Sequence, residues 1–282
     1  MSESPEGAAP PSPSSRNSDA GQPGTTEPPK SPPPSEITGP PNRVFLAVLR
    51  QALEEMRLTL TPSALDHMIC LFELLAEANE RINLVADASP QTVAVKHIAD
   101  SLLVLTSGAL DGLEIESALD LGSGAGFPGL PLAIAHPSVR WLLIESTGKK
   151  ARFIEDTAFA LGLENVGVSD SRSEALAHNP VHRASRNLVV ARGLTSCAAL
   201  CELGLPFLRR GGRLVAHKGP EGPKELAEAA EAARVCGGTP RPVITASLPI
   251  LGHVRTFISW DKTADTPQNY PRREGLAQQR PL

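Results

Sequence analysis

Residues 118–129 read Ala-Leu-Asp-Leu-Gly-Ser-Gly-Ala-Gly-Phe-Pro-Gly, a short apolar run that ends in an acid and then glycines at alternate positions. A strand that stops in such a turn leaves backbone N–H groups pointing outward with no side chains in the way. A ligand can then lie directly against the main chain. Gly124 to Gly129 also spells G-x-G-x-x-G, the pattern of dinucleotide sites. In that fingerprint the first glycine directly follows the strand and the third packs the helix on the sheet. Here the residue after the strand is Gly122, and counting from it puts Phe127 where the third glycine belongs. The frame that fits is Asp120-x-Gly122-x-Gly124-x-Gly126.

From Ser117 onward, apolar strands alternate with helices, the pattern of a parallel sheet covered on both faces. Strands are expected at Ala118–Leu121, Trp141–Glu145, Val166–Ser169, Leu188–Ala191, Arg213–His217, Val243–Leu248 and Val254–Trp260. Helices between them include Lys149–Leu161, Cys197–Leu208 and Lys224–Cys236. The last two strands are joined by Pro249–His253, short enough for a hairpin, and a pure nicotinamide-binding sheet would not end that way.

Ahead of this pattern the sequence reads as helices. Val44, Leu46, Val48, Leu49, Leu53 and Met56 mark one apolar face that runs to about Leu60. Thr61-Pro62 is an N-cap followed by proline at the first helical position. The helix it opens buries Leu65, Met68, Ile69, Phe72, Leu75 and Ala76 and turns Glu73, Glu77 and Glu80 outward. A third helix, about Pro90 to Leu105, carries His97, Asp100 and Ser101. Residues 1–42 are dense in Pro, Ser and Gly without apolar periodicity. They are expected to be a disordered, dispensable tail, with neither the apolar core of a signal peptide nor the make-up of a transit peptide. The division is therefore 1–42 tail, 43–116 helical region, 117–262 core and 263–282 a basic C-terminal segment packing on the core.

At 282 residues and 41% hydrophobic content, the chain has material for one large domain with appendages. Its net charge of −4 is uneven: Glu3, Glu6, Asp19, Glu27 and Glu36 against Arg16 and Lys30 place −3 of it in the tail. The rest is nearly neutral, so any contact with nucleic acid falls to local basic patches. Cys197 and Cys201 stand four apart, but no His or Cys cluster completes a metal site, and Cys70, Cys197, Cys201 and Cys236 read as small buried thiols in a reducing cytosol. No metal, no membrane and a monomeric state are the expectations.

Glu145 ends the second strand, 23 residues after Gly122. An acid there accepts hydrogen bonds from both ribose hydroxyls of a nucleoside lying along the turn, which suits NAD and S-adenosylmethionine equally. Arg172-Ser173-Glu174 follows the third strand, where adenine contacts fall. Arg192 and His217-Lys218 end the fourth and fifth strands on the same rim, where ligands of open parallel sheets bind.

The Asp120 frame resembles the first motif of the S-adenosylmethionine-dependent methyltransferases. Longer runs are similar to one family within them. They are Asn79-x-Arg81-Ile82-Asn83-Leu84, His97-x-x-Asp100-Ser101-Leu102, the glycine block with Phe127-Pro128-Gly129, and Glu145-Ser146-x-x-Lys149-Lys150-x-x-Phe153. Arg172-x-Glu174, Ala191-Arg192, Gly211-Gly212 with Lys218-Gly219, and Tyr270-Pro271-Arg272-Arg273-x-Gly275 continue the match. These resemble the RsmG family, once called glucose-inhibited division protein B, from about residue 60 to the end. Ala78 stands where the family often has Trp, and Ser173 where it often has Ala or Val.

The resemblance implies a class I S-adenosylmethionine-dependent methyltransferase fold, Rossmann-like α/β with a seven-stranded sheet ending in a hairpin, and an N-terminal helical extension. It implies methylation of guanine N7 in 16S rRNA, at guanine 527 in the usual rRNA numbering, with free rRNA or the small subunit as partner. Gly122, Phe127, Ser173, Glu174 and Arg192 would touch the cofactor, joined by Gly124 and Glu145 from the physical reading. Lys149, Lys150, Arg192, Lys218, Arg272 and Arg273 would hold RNA, with Arg209 and Arg210 as further rim candidates. No catalytic residue is assigned, because N7 needs no base. A NAD-dependent oxidoreductase and a catalytically silent nucleotide-binding protein are the alternatives.

Overall fold

In the central strands of the sheet, consecutive residues face opposite ways and both ways are apolar. The computed structural model describes residue 1 and residues 39–282. Its strands are β1 (Ser117–Leu121), β2 (Arg140–Ile144), β3 (Val166–Ser169), β4 (Arg186–Arg192), β5 (Leu208–Lys218), β6 (Gly238–Pro240), β7 (Ile244–Ser247) and β8 (Val254–Lys262). Ala118, Leu143, Leu188, Val190 and Val215 pack into one core, while Leu119, Leu142, Val189 and Leu214 pack into a second on the other face. A period of two with both faces covered is what a central parallel sheet requires.

The strand order is β3-β2-β1-β4-β5-β8-β6, with β7 also pairing β8. β1 to β5 run parallel, and β8 returns antiparallel to β5. The chain order therefore reverses between β1 and β4, and the crevice at their carboxyl ends is the binding position of open sheets. The seven-strand arrangement is present, but its last edge strand comes in two pieces. β6 pairs Lys262 to Trp260 and β7 pairs Phe257 to Val254 on the same side of β8. Arg241 bridges the pieces by donating its N–H to the Ser259 carbonyl (2.9 Å). Pro240 and Pro242 cannot donate, which an edge strand tolerates and a central one does not.

Two helices, α1 (Pro40–Glu55) and α2 (Pro62–Asn79), share the first core with the sheet. Phe45 stacks on Phe72 with ring centroids 4.7 Å apart. The Thr61 side chain accepts the Ala64 N–H (3.1 Å), the cap read from sequence. α1 differs at both ends. It starts three residues before the expected tail boundary, with Asn42 buried and bonded to Glu73; the rest of the expected tail, apart from Met1 and Gly39, lies outside the described residues. It stops at Glu55 rather than near Leu60, because Arg57 turns left-handed (φ 54°). The Leu58 N–H then reaches the Leu53 carbonyl and the Arg57 N–H the Glu54 carbonyl, a Schellman cap with arginine in the usual glycine place.

The third helical stretch begins as α3 (Pro90–Thr92), widens to π turns over Val93–Ala99, returns as α4 (Asp100–Leu102) and tightens over Leu103–Leu105. In the core, α5 (Gly129–Ala135) and α6 (Gly148–Ala160) join the first face, and α8 (Cys197–Gly204) and α10 (Ala230–Val235) join the second. α7 (Ser173–His178) follows β3. The helix expected over Lys224–Cys236 breaks at Ala229 into α9 (Gly222–Glu228) and α10. All four cysteines are buried and unpaired, and no helix among the described residues is long and apolar enough to cross a membrane.

The C-terminal segment straps α7 and α8 to the core. Arg183 donates to the carbonyls of Thr266, Pro267 and Tyr270. Arg272 forks onto the carboxylate of Glu202, which is fully buried, at 2.9 and 2.6 Å. Removing one partner of a buried pair leaves an uncompensated charge. Arg272→Ala should therefore lower stability by about 3–5 kcal/mol, measured by urea denaturation. A stability equal to that of the parent, with weakened RNA binding, would return Arg272 to the RNA surface.

Candidate functional site: the glycine turn and its rim

The turn after β1 uses its three alternating glycines for different purposes. Gly122, Gly124 and Gly126 all lie in the left-handed region (φ 73°, 60° and 88°). A Cβ on Gly122 would sit 2.5 Å from Leu194, and one on Gly126 would collide with Leu130. Those two positions let neighbours close in. A Cβ on Gly124 would meet nothing within 4 Å, so this residue borders open space. The Gly122 and Ser123 N–H groups both donate to the Ile144 carbonyl (2.9 and 3.0 Å), tying the turn to the end of β2.

Two acids set the shape of this turn. Asp120 is fully buried below it and accepts the Gly129 N–H on Oδ2 (2.9 Å), while Oδ1 has no partner. Burial pushes its carboxyl up to about 7, against the smaller opposing pull of the hydrogen bond from Gly129. Glu145, just past β2, accepts the Gly124 N–H on Oε2 (2.9 Å) and the Thr147 N–H on Oε1 (2.7 Å). Its carboxylate thus lies beside the open space at Gly124.

A second group of side chains gathers at the carboxyl ends of β4 and β5. Arg192 donates to Asp100 Oδ2 (3.1 Å) and to the carbonyls of Lys96 and His97, and its guanidinium stands 5.5 Å from the Phe127 ring centre. His97 stacks on the same ring at 5.1 Å. Arg255 takes the other oxygen of Asp100 at 2.5 Å. One buried carboxylate therefore positions two arginines from different strands, and the π turns of 93–99 are the segment that delivers it. His217 lies buried, edge-on to Phe257 at 4.9 Å. Burial, aided by Arg192, pushes His97 down to about 4; burial likewise takes His217 down to about 4. Both imidazoles are neutral at neutral pH.

Of the expected cofactor residues, Gly122, Gly124, Phe127, Glu145 and Arg192 come together around this crevice. Ser173 and Glu174 start α7 after β3. The Glu174 carboxylate accepts the Ser173 hydroxyl (3.1 Å) and the Gly275 N–H (2.9 Å), which ties this corner to the C-terminal segment. The basic residues divide likewise. Lys149, Arg209 and Arg273 are exposed and Lys150 is half-buried. Lys218 is turned inward onto Glu225 (2.7 Å) and the Thr195 carbonyl, and Arg272 onto Glu202, so each charge already has a partner within the fold. Arg210 is held by Asp265. Arg255 was missed in the sequence; its signal was an arginine two residues beyond the hairpin loop, level with the rim. Among the described residues no group of three His, Cys, Asp or Glu side chains is placed to hold a metal ion.

Residues 64–249 match the family described as rRNA small subunit methyltransferase G. Curated relatives carry the same description, "Ribosomal RNA small subunit methyltransferase G". That of Deinococcus deserti is 43% identical over 83% of this chain and 95% of its own length. That of Deinococcus radiodurans is 42% identical over 83% of this chain and 92% of its own. That of Pelotomaculum thermopropionicum is 37% identical over 85% and 99%.

The buried titratable groups give stability a pH dependence of known sign. Asp120 is raised above its ordinary value near 3.8, so its contribution is fully present at low pH and is lost as pH rises towards 7. His97 and His217 are lowered from 6.5, so their contribution grows as pH rises from 4 to 6.5. Asp120→Asn removes the opposing member. The gain in urea midpoint between pH 5 and pH 7 should be larger in this variant than in the parent, and an equal or smaller gain would contradict these assignments.

Proposed function

Because this chain belongs to the rRNA small subunit methyltransferase G family, we propose that its glycine turn cradles the methyl donor and that the acceptor is N7 of a guanine in 16S rRNA. The chain is an rRNA methyltransferase, and its cofactor is S-adenosylmethionine. This leaves no place for a hydride-transferring oxidoreductase. The observation that carries the binding site is the open space at Gly124 with the Glu145 carboxylate beside it. A nucleoside laid along the turn meets main chain at Gly124, and the Glu145 oxygens keep lone pairs for its ribose hydroxyls. Arg192, fixed by Asp100, keeps N–H groups for the carboxylate of the methionine moiety or for a phosphate of the RNA.

When bound, the cofactor supplies a methyl group on a sulfonium, which N7 takes with its ring lone pair. N7 bears no proton, so the protein needs no base, and catalysis rests on orientation, which contributes on the order of 7–11 kcal/mol in favourable cases. The rim is built accordingly. His97 and His217 are neutral and add no charge against a purine ring that becomes cationic. Phe127 is buried beneath His97 and Arg192 and fixes the two side chains at the rim. Lys149, Lys150 and Arg273, with Arg192, supply phosphate contacts that fix register while the base is read separately.

The single-turnover rate with RNA and cofactor both bound should be flat between about pH 6.5 and pH 8.5, where a histidine near its reference value would still be titrating. His97→Asn should stay flat even if slower, and digestion of the product RNA should release 7-methylguanosine. Titration of Asp120, beneath the turn, would appear in cofactor affinity and not in this rate. A pH slope that vanishes in a single His, Asp or Glu variant would overturn the base-free reading, as would a methyl group on N1 or N2.

A further inference from the structure

The loop between β7 and β8 breaks two ordinary rules at once. Three of the seven exposed large apolar residues among the described residues fall in it or at the first residue of β8: Ile250 (41% exposed), Leu251 (39%) and Val254 (46%). Ile250 is also left-handed (φ 66°), a conformation β-branched residues avoid. The loop is nevertheless firmly based. Leu248 and Pro249 are buried, the Leu248 N–H donates to the His253 carbonyl (2.8 Å), and the Gly252 N–H to the Leu248 carbonyl (2.9 Å). The Ile250 N–H is fixed by Glu55 at the end of α1 (2.8 Å). A strained residue held from both sides, with its apolar side chain outward, marks a presented surface.

Its place says what it is presented to. β8 runs antiparallel to β5, with Thr256 opposite Lys218, so Arg255, Val254 and the loop lie beyond the carboxyl end of β5. That is the rim where Arg192, Phe127 and His217 stand. Arg255 is joined to Arg192 through Asp100, and the Glu55 carboxylate stands at the tip itself, so two arginines and two carboxylates balance around it. An apolar tip continuous with the rim that receives the target base fits a nucleic acid, because such a tip can enter between bases. Resting on the reading of the chain as an rRNA methyltransferase, we propose that Ile250, Leu251 and Val254 form a wedge that unstacks the substrate RNA next to the guanosine to be methylated. A base inside a helical stack must leave it to lie against a crevice at the end of a sheet. The wedge fills the gap it leaves.

The test uses the full chain and a small-subunit rRNA fragment carrying 2-aminopurine beside the guanosine that this enzyme methylates, whichever position on its ring receives the methyl. Ile250→Asn with Leu251→Ser strips the tip with residues that suit its backbone, and Val254→Thr keeps the strand shape. Thermal melting and adenosylhomocysteine titration confirm that each variant is folded and binds cofactor product. With RNA saturated, the parent should raise 2-aminopurine emission and the variants should not; their single-turnover rates should fall at least about tenfold. No rise with the parent, or an equal rise with the variants, overturns the wedge. Unchanged emission together with lost affinity for protein-bearing particles would assign the tip to a ribosomal protein, and overturn it too. A methyl group found at N1 or N2 would refute the N7 reading and leave this comparison intact.

Discussion

The carboxylate of Glu145 accepts the N–H groups of Gly124 and Thr147, and the site is organised around that double acceptance. The turn after β1 has three left-handed glycines in five residues and little intrinsic preference for one shape. Its conformation comes from outside: the Ile144 carbonyl takes two of its N–H groups, Glu145 takes a third, and Asp120 takes the N–H of Gly129 where α5 begins. All of these acceptors belong to β1, to β2 or to the residue just past it. The parallel pairing of β1 and β2 thus becomes the register of a ligand cradle. An acid at the end of β2 fixes the turn and, in the proposed complex, also receives the ribose.

The rim is organised by a similar economy. Asp100 comes from the N-terminal helical region, Arg192 from β4 and Arg255 from the returning strand β8. Their convergence on one buried carboxylate joins the helical extension to the sheet. Phe127 is placed by the same network, with His97 stacked on it and Arg192 beside it. The helical region therefore forms part of the proposed substrate crevice as well as sharing the core beneath it. A charge-paired, otherwise neutral rim suits the proposed methylation at N7, which creates a cation and moves no proton.

Much of this was legible in the chain because the relevant physics is local. The Thr61-Pro62 cap, the apolar strands and the glycine frame depend on residues a few positions apart, and each is where its pattern puts it. The Arg57 cap was hidden because an arginine takes the left-handed place usually marked by glycine. β6 was hidden because Gly-Thr-Pro carries no apolar alternation and pairs only as an edge. The charged residues were the least legible. Lys218 and Arg272 look like free surface charges, and only the fold shows Glu225 and Glu202 waiting for them. Asp100 and Arg192 are 92 residues apart, and nothing local announces their pairing.

The most direct measurement is calorimetric titration of S-adenosylmethionine into the protein and into its Glu145→Ala variant. If the Glu145 carboxylate both latches Gly124 and receives the ribose, its loss should weaken binding by about 1.5–3 kcal/mol, the range for hydrogen bonds to a charged group. A dissociation constant unchanged by the substitution would contradict the account and place the cofactor away from this turn.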